Sequence, residues 1–166
     1  MTQNLRFTPT QMAILMLLKS EDIHGIEYSP IPGRIHLVKE LFAISQNNLG
    51  KKLLPELKFI PYKFGPFDET IFAALEGLRD GDFVSFDVSS SNNSKIKLTP
   101  KGIDTSDALW DRIKDDVKTL FVYTKKNFNH LSSERVLEKI YSAYPDMTVN
   151  SQSRIAEKYR PKSQTI

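Results

Sequence analysis

Only one stretch of this chain alternates with the period of a β-strand and then returns on itself. Phe83, Ser85 and Asp87 alternate against Val84, Phe86 and Val88. The polar tip SSSNNS follows, and Lys95, Ile96, Lys97, Leu98 and Thr99 come back with the same period of two. Most of the rest reads as helix or loop, so the expected class is mainly α with a small β-hairpin (α+β).

The helical segments carry their own start and stop signals. Thr8 can cap a helix over 8–20, with Pro9 suited to its first position and Gln11 at capping-box spacing. Met12, Ile14, Leu15, Leu17 and Leu18 make that helix apolar nearly all round, the mark of a buried one. Residues 23–32, with Gly25, Pro30 and Pro32, read as a loop. From Gly33 to Gln46, Leu37, Val38, Leu41, Phe42 and Ser45 take helical spacing and leave Arg34, His36, Lys39 and Glu40 toward the other side. Residues 47–58 are polar and basic, with room for a short helix.

FIPYKFGPFDE is an aromatic-rich run that favours one short strand ended by Gly65-Pro66. Asp68 then caps a helix that buries Phe67, Ile71, Ala74, Leu75 and Leu78, with Gly81 as its stop. Beyond Pro100-Lys101-Gly102, one helix is expected over 104–126. A capped amphipathic helix over 132–144 closes at Pro145, and a short last helix over 151–159 precedes a basic tail. This order is that of a winged helix-turn-helix, with the 67–80 helix in the recognition position and 83–99 as the wing. The expected organisation is a winged-helix domain over 1–102, a C-terminal helical extension packed on it over 103–160, and a frayed basic tail over 161–166.

Certain residues also look familiar. GRIHLVKELFAI (33–44), FIPYKFGPF (59–67) and LRDGDFVSF…IKLTPKG (78–102) together resemble an archaeal and bacterial winged-helix family with the pattern "GRtrLqKllFll … YGPfs … yrLTekG". Within it the likeness is to phage-associated or antitoxin-like domains, and more distantly to PadR-type regulators. VLEKIYSAYPDMTVNS (136–151) is similar to the "yVYekYPey" ending of such proteins. Two positions depart from the pattern: Phe64 stands where tyrosine is usual before Gly-Pro, and Asp82-Phe83 where Leu-Ile is usual. The resemblance implies the fold and carries little about function.

Charge divides the chain. The formal net charge is only +3, a weak long-range field for a polyanion. Residues 34–63 are strongly positive through Arg34, Lys39, Lys51, Lys52, Lys58 and Lys63, whereas 64–94 are strongly negative, with Arg79 alone against six carboxylates. On the 67–80 helix, periodicity exposes Glu69, Thr70, Ala73, Glu76, Gly77 and Asp80, with Arg79 at the margin. Three carboxylates there would repel phosphates. Other positions are more accommodating. Arg34, His36 and Lys39 begin the preceding helix, where amides and side chains can hold a phosphate. Lys63 sits beside Tyr62, and Lys95 and Lys97 share one face of the wing. Those two lysines equally serve as edge-strand protection.

Little points to catalysis. Without cysteine there is no disulfide, thiolate metal site or cysteine nucleophile. His24, His36 and His130 are scattered, and no phosphate loop, dinucleotide fingerprint or nucleophile elbow is present. No enzyme, metal or cofactor is expected. There is no run of ~20 apolar residues and no secretory leader pattern, so a cytoplasmic protein is expected.

The expected function is duplex DNA binding by a small regulator or antitoxin-like repressor. Arg34, Lys39 and Lys63 would contact phosphate, Thr70 and Arg79 base edges, and Lys95 and Lys97 the wing's backbone contacts. An apolar stripe with Trp110, Leu109, Ile113, Phe121, Tyr123 and Phe128 on 104–126 would support a homodimer, or else pack on the first helix. The competing expectation is a protein-interaction module whose acidic 68–82 face binds a partner protein.

Overall fold

The computed structural model describes residues 6–87 and 94–161, so Val88, most of the expected polar tip (89–93) and the basic tail from 162 onward lie outside the described residues. The described residues are mainly helical, with two small antiparallel hairpins. Helix α1, Pro9–Lys19, starts where local chemistry dictates. The Gln11 amide donates to Thr8 Oγ1 (3.1 Å) and the Thr8 amide to Gln11 Oε1 (3.0 Å), closing the capping box. Ala13 to Leu18 are all buried, and α4, α5 and α6 pack around them.

Helix α2, Arg34–Gln46, is the second central element. Leu37, Val38, Leu41 and Ile44 join the core built on α1, while Phe42 turns into a second cluster with Val136, Leu137, Ile140 and Tyr141 of α7, Ser133–Ala143. Two apolar clusters therefore cover α2 on different sides. This overturns the expectation that Lys39, His36 and Glu40 face solvent: all three are buried. The period of 3.6 assigns polar residues to water only when one face is covered.

Helix α3, Asn48–Leu53, is short as expected, capped by Asn47 Oδ1 on the Leu49 amide (2.8 Å). The aromatic run differs from expectation. It holds two strands rather than one, β1 Ile60–Tyr62 and β2 Gly65–Phe67, paired Ile60↔Phe67, Pro61↔Pro66 and Tyr62↔Gly65. Phe67 lies on β2 and not on the helix that follows. The turn Lys63-Phe64 is closed by Gly65 at φ 89°, a conformation that suits glycine.

Helix α4, Thr70–Asp80, exposes the residues that periodicity selects. Asp68 caps its first turn, accepting from the Thr70 amide (2.9 Å) and hydroxyl (2.6 Å) and from the Lys58 amide (2.6 Å). Gly81 ends the helix, yet the left-handed residue is Asp82, at φ 65°. Strands β3 Val84–Ser85 and β4 Lys97–Leu98 form the second hairpin, in register Val84↔Leu98 and Ser85↔Lys97. A bridge adds Ile31, from the loop before α2, to Ile96: each amide donates to the other's carbonyl, at 3.0 and 2.9 Å.

The segment expected as one helix over 104–126 is two. Thr99 caps α5, Pro100–Trp110, so Pro100-Lys101-Gly102 is a first turn and not a linker. The boundary expected at 102/103 falls inside this helix. After Asp111 to Lys114 the chain restarts as α6, Asp115–Phe128, with Asp115 and Asp116 in its first turn. Of the two expectations for the apolar stripe, exposed or packed on the first helix, inward packing describes most of it. Phe121 is buried, Leu109, Trp110 and Ile113 are half-buried against the core, and Tyr123 stays exposed. Two 3-10 turns, Pro145–Thr148 and Arg154–Lys158, complete the extension, the second standing where a helix over 151–159 is expected.

Gly102 shows how tightly α5 sits on the second hairpin. A Cβ there would lie 1.9 Å from the Phe83 carbonyl oxygen, which already accepts from the Thr99 amide. Gly102→Ala is expected to lower stability by roughly 1–3 kcal/mol, the usual range for overpacking. A thermal melt checks this, and an unchanged midpoint would mean that the contact relaxes freely.

Candidate functional site

Three of the cations singled out in the sequence meet at one cleft. It lies between the first half of α2, the β1–β2 hairpin and the start of α4, with a volume of about 260 Å³. Arg34 and Lys39 come from α2 and Lys63 from the hairpin turn, and Tyr62, Phe67 and Phe72 supply aromatic walls. No carboxylate lines it.

The aromatic rings are organised. Tyr62 and Phe67 stack, with centroids 4.9 Å apart and planes 26° apart, and Phe72 meets Phe67 edge-on at 5.4 Å. The Arg34 guanidinium lies 5.3 Å from the Phe72 centroid, and the Lys63 ammonium 5.7 Å from that of Tyr62. Such placement is favourable because the ring face is electron-rich. Arg34 is also 5.6 Å from Phe86 at the root of the second hairpin, and Arg79 of α4 is 5.1 Å from the same ring. A belt of cations and rings thus runs from Lys63 past Arg34 to Arg79.

Lys39 differs from its neighbours. Its ammonium is buried and donates to the Pro66 carbonyl at 3.1 Å. Burial pushes its pKa down to about 7. His36 is buried beyond the cleft, its Nε2–H donating to the Leu131 carbonyl (2.7 Å), and burial lowers its pKa too. That histidine is a structural tie between α2 and the α6–α7 turn.

The remaining candidates are placed elsewhere. Thr70 is exposed at the start of α4, but its hydroxyl is held by Asp68, beside Glu69. The structure does not bring it to the cleft. Lys95 and Lys97 are exposed, and Lys97 pairs with exposed Ser85 on the outward face of the second hairpin, opposite the face that carries Val84 and Leu98. Arg79 is half-buried, with an ion-pair contact to Asp80 at 3.7 Å and a buried Nη1 without a hydrogen-bond partner.

The C-terminal extension braces the hairpin from behind. The Gln152 amide donates to the Lys63 carbonyl (2.7 Å), Asn150 Nδ2 to Pro61 O (3.2 Å) and Ser151 Oγ to Lys63 O (3.2 Å). The Tyr141 and Ser151 hydroxyls lie 2.6 Å apart, and Arg160 donates to the Ser151 carbonyl (2.7 Å). The extension therefore sets the position of the cleft's outer wall. Sequence reading missed the aromatic wall as a site, although the density of rings in 59–67 was a signal for it.

Among the described residues there is no group of three or more histidines and carboxylates able to hold a metal, and no helix is long and apolar enough to cross a membrane. No family model matches the chain, and no curated protein matches it.

Proposed function

We propose that this chain is a winged-helix DNA-binding protein, a small cytoplasmic regulator or antitoxin-like repressor, that grips the duplex with the flank of α4 rather than its crest. The order of α1, Ile31, α2, α4 and the Val84–Leu98 hairpin supports the winged-helix reading. The observation that carries the binding is the convergence of Arg34 and Arg79 on Phe86. Two guanidinium groups on one ring, with Lys63 along the belt and Lys95 and Lys97 on the wing, make a surface suited to phosphates. The crest of α4, with Glu69, Glu76 and Asp80 exposed, is unsuited to them.

Contacts to about five phosphates imply an affinity falling on the order of 100-fold or more between roughly 50 and 200 mM salt. Fluorescence anisotropy with a short labelled duplex measures this. Lys95→Glu with Lys97→Glu should weaken binding and flatten the salt dependence by about two units of slope. Absence of binding at the lower salt would sink the proposal. The acidic crest favours a second reading, a surface for a basic partner protein. A partner bound there would survive the wing double variant and be lost on Glu76→Lys with Asp80→Lys.

A further inference from the structure

We propose that the cleft between α2 and the β1–β2 hairpin is a nucleotide site. It takes one nucleotide, either a free nucleoside monophosphate or an unpaired nucleotide of a strand, with the base against the aromatic wall and the phosphate between Arg34 and Lys63. This goes beyond duplex binding, which needs no pocket, and it stands without that reading.

Size limits the occupant. At about 260 Å³ the cleft is just below the ~300–1,000 Å³ of drug-sized pockets, so it has room for a single nucleotide at most and not for an extended ligand. Its walls select a planar group. Tyr62 of β1 and Phe64 of the turn are 41% and 43% exposed, and the Tyr62–Phe67 stack puts aromatic surface at the cleft for a further ring.

Charge selects the remainder of the ligand. Among the described residues Arg34, Lys39 and Lys63 line the cleft without an opposing carboxylate, which matches a phosphate, whether a free monoester or the diester of a strand. The Lys39 ammonium has three donors and gives one to the Pro66 carbonyl, leaving capacity for ligand oxygens. A phosphate close by would also favour the protonated form of this lysine, which burial otherwise disfavours. The wall is preformed, since the Lys63 carbonyl is held by Gln152 and Ser151. Gly65 lets the hairpin lie against Tyr141 and Lys39: a Cβ there would be 3.2 and 3.4 Å from their side chains.

The test uses the full chain and two probes, adenosine 5′-monophosphate by calorimetry and a short duplex carrying one unpaired 2-aminopurine by fluorescence. We expect saturable one-to-one binding of the monophosphate, with adenosine and ribose 5-phosphate each weaker by roughly tenfold, as loss of one stacking or one charged contact implies. Tyr62→Ala and Lys63→Ala, both at exposed positions, should each weaken it by a similar factor and leave the thermal midpoint in place. If only the unpaired 2-aminopurine binds, more tightly than the fully paired duplex and with quenched fluorescence, the occupant is part of a strand and the site is upheld. The inference is overturned if neither probe binds up to millimolar concentration, if both variants bind as the parent does, or if inorganic phosphate matches the monophosphate. Binding of paired duplex alone would refute the nucleotide site and leave the DNA-binding proposal intact.

Discussion

Lys125→Met is expected to destabilise the fold by about 3–5 kcal/mol, the range for breaking a buried charge arrangement by removing one partner. Lys125 of α6 is fully buried, and its ammonium donates to the carbonyls of Leu18 (3.0 Å) and Ser29 (2.8 Å). It ties the end of α1 and the following loop to α6. Across the helix interface lies Glu40 of α2, also fully buried, with neither carboxylate oxygen hydrogen-bonded. Burial pushes the Glu40 carboxyl up and the Lys125 ammonium down, and each charge opposes the shift of the other. Methionine fills a similar volume but leaves two carbonyls without donors and a carboxyl without a counter-charge. Glu40→Gln should be milder, since a carboxyl whose pKa burial raises to about 8 is largely neutral at pH 7 and the exchange leaves both carbonyl bonds of Lys125. Urea unfolding of the two single variants and the double variant gives the coupling, expected above about 1 kcal/mol. A loss below about 1 kcal/mol for Lys125→Met would show that the carbonyls find water instead.

Lys39→Met is expected to remove a pH dependence rather than simply to shift stability. The folded pKa of Lys39 is held at about 7 by burial, below the ordinary 10.5. Below pH ~7 the folded chain must bury the ammonium, so the penalty is then fully present. As pH rises from about 7 toward 10.5 the folded state has released its proton while the unfolded state has not, and the penalty is relieved. The parent should therefore gain stability, on the order of a few kcal/mol, over that window relative to Lys39→Met. Near pH 6 the variant should be the more stable of the two, despite the lost bond to the Pro66 carbonyl. Parallel curves for the two proteins from pH 6 to 10 would show that the amine is solvated in the folded chain.

What was legible in the sequence is what short-range chemistry decides. Thr8, Pro9 and Gln11 fix the start of α1, and alternation from Phe83 to Phe86 and from Lys95 to Thr99 fixes the second hairpin. The three-residue strands at 60–67 escaped because Pro61 faces Pro66, a pairing in which neither residue can donate. The break at Asp111–Lys114 has no glycine or proline, and its one local sign is the acidic pair Asp115-Asp116 at the next helix start.

The site was legible as residues and not as a place. Arg34, Lys39 and Lys63 read as basic, and their convergence with Phe72 needs α2, the hairpin and α4 to meet. The burial of Lys39 and Glu40 could not be read locally, because it depends on distant elements: β2 and α7 close over Lys39, and α6 brings Lys125 opposite Glu40. The exposure of Lys95 and Lys97 was legible, since an outward face of the hairpin follows from alternation alone.

The bridge between Ile31 and Ile96 has a mechanical consequence. Ile96 lies between Lys95 and Lys97, and Ile31 precedes Arg34 by three residues, two of them Pro32 and Gly33. A pull on the wing lysines is therefore transmitted through two hydrogen bonds and a short, proline-stiffened tether to the first turn of α2. The second hairpin and the start of α2 are thus joined directly, by a pair of hydrogen bonds between two fully buried core residues.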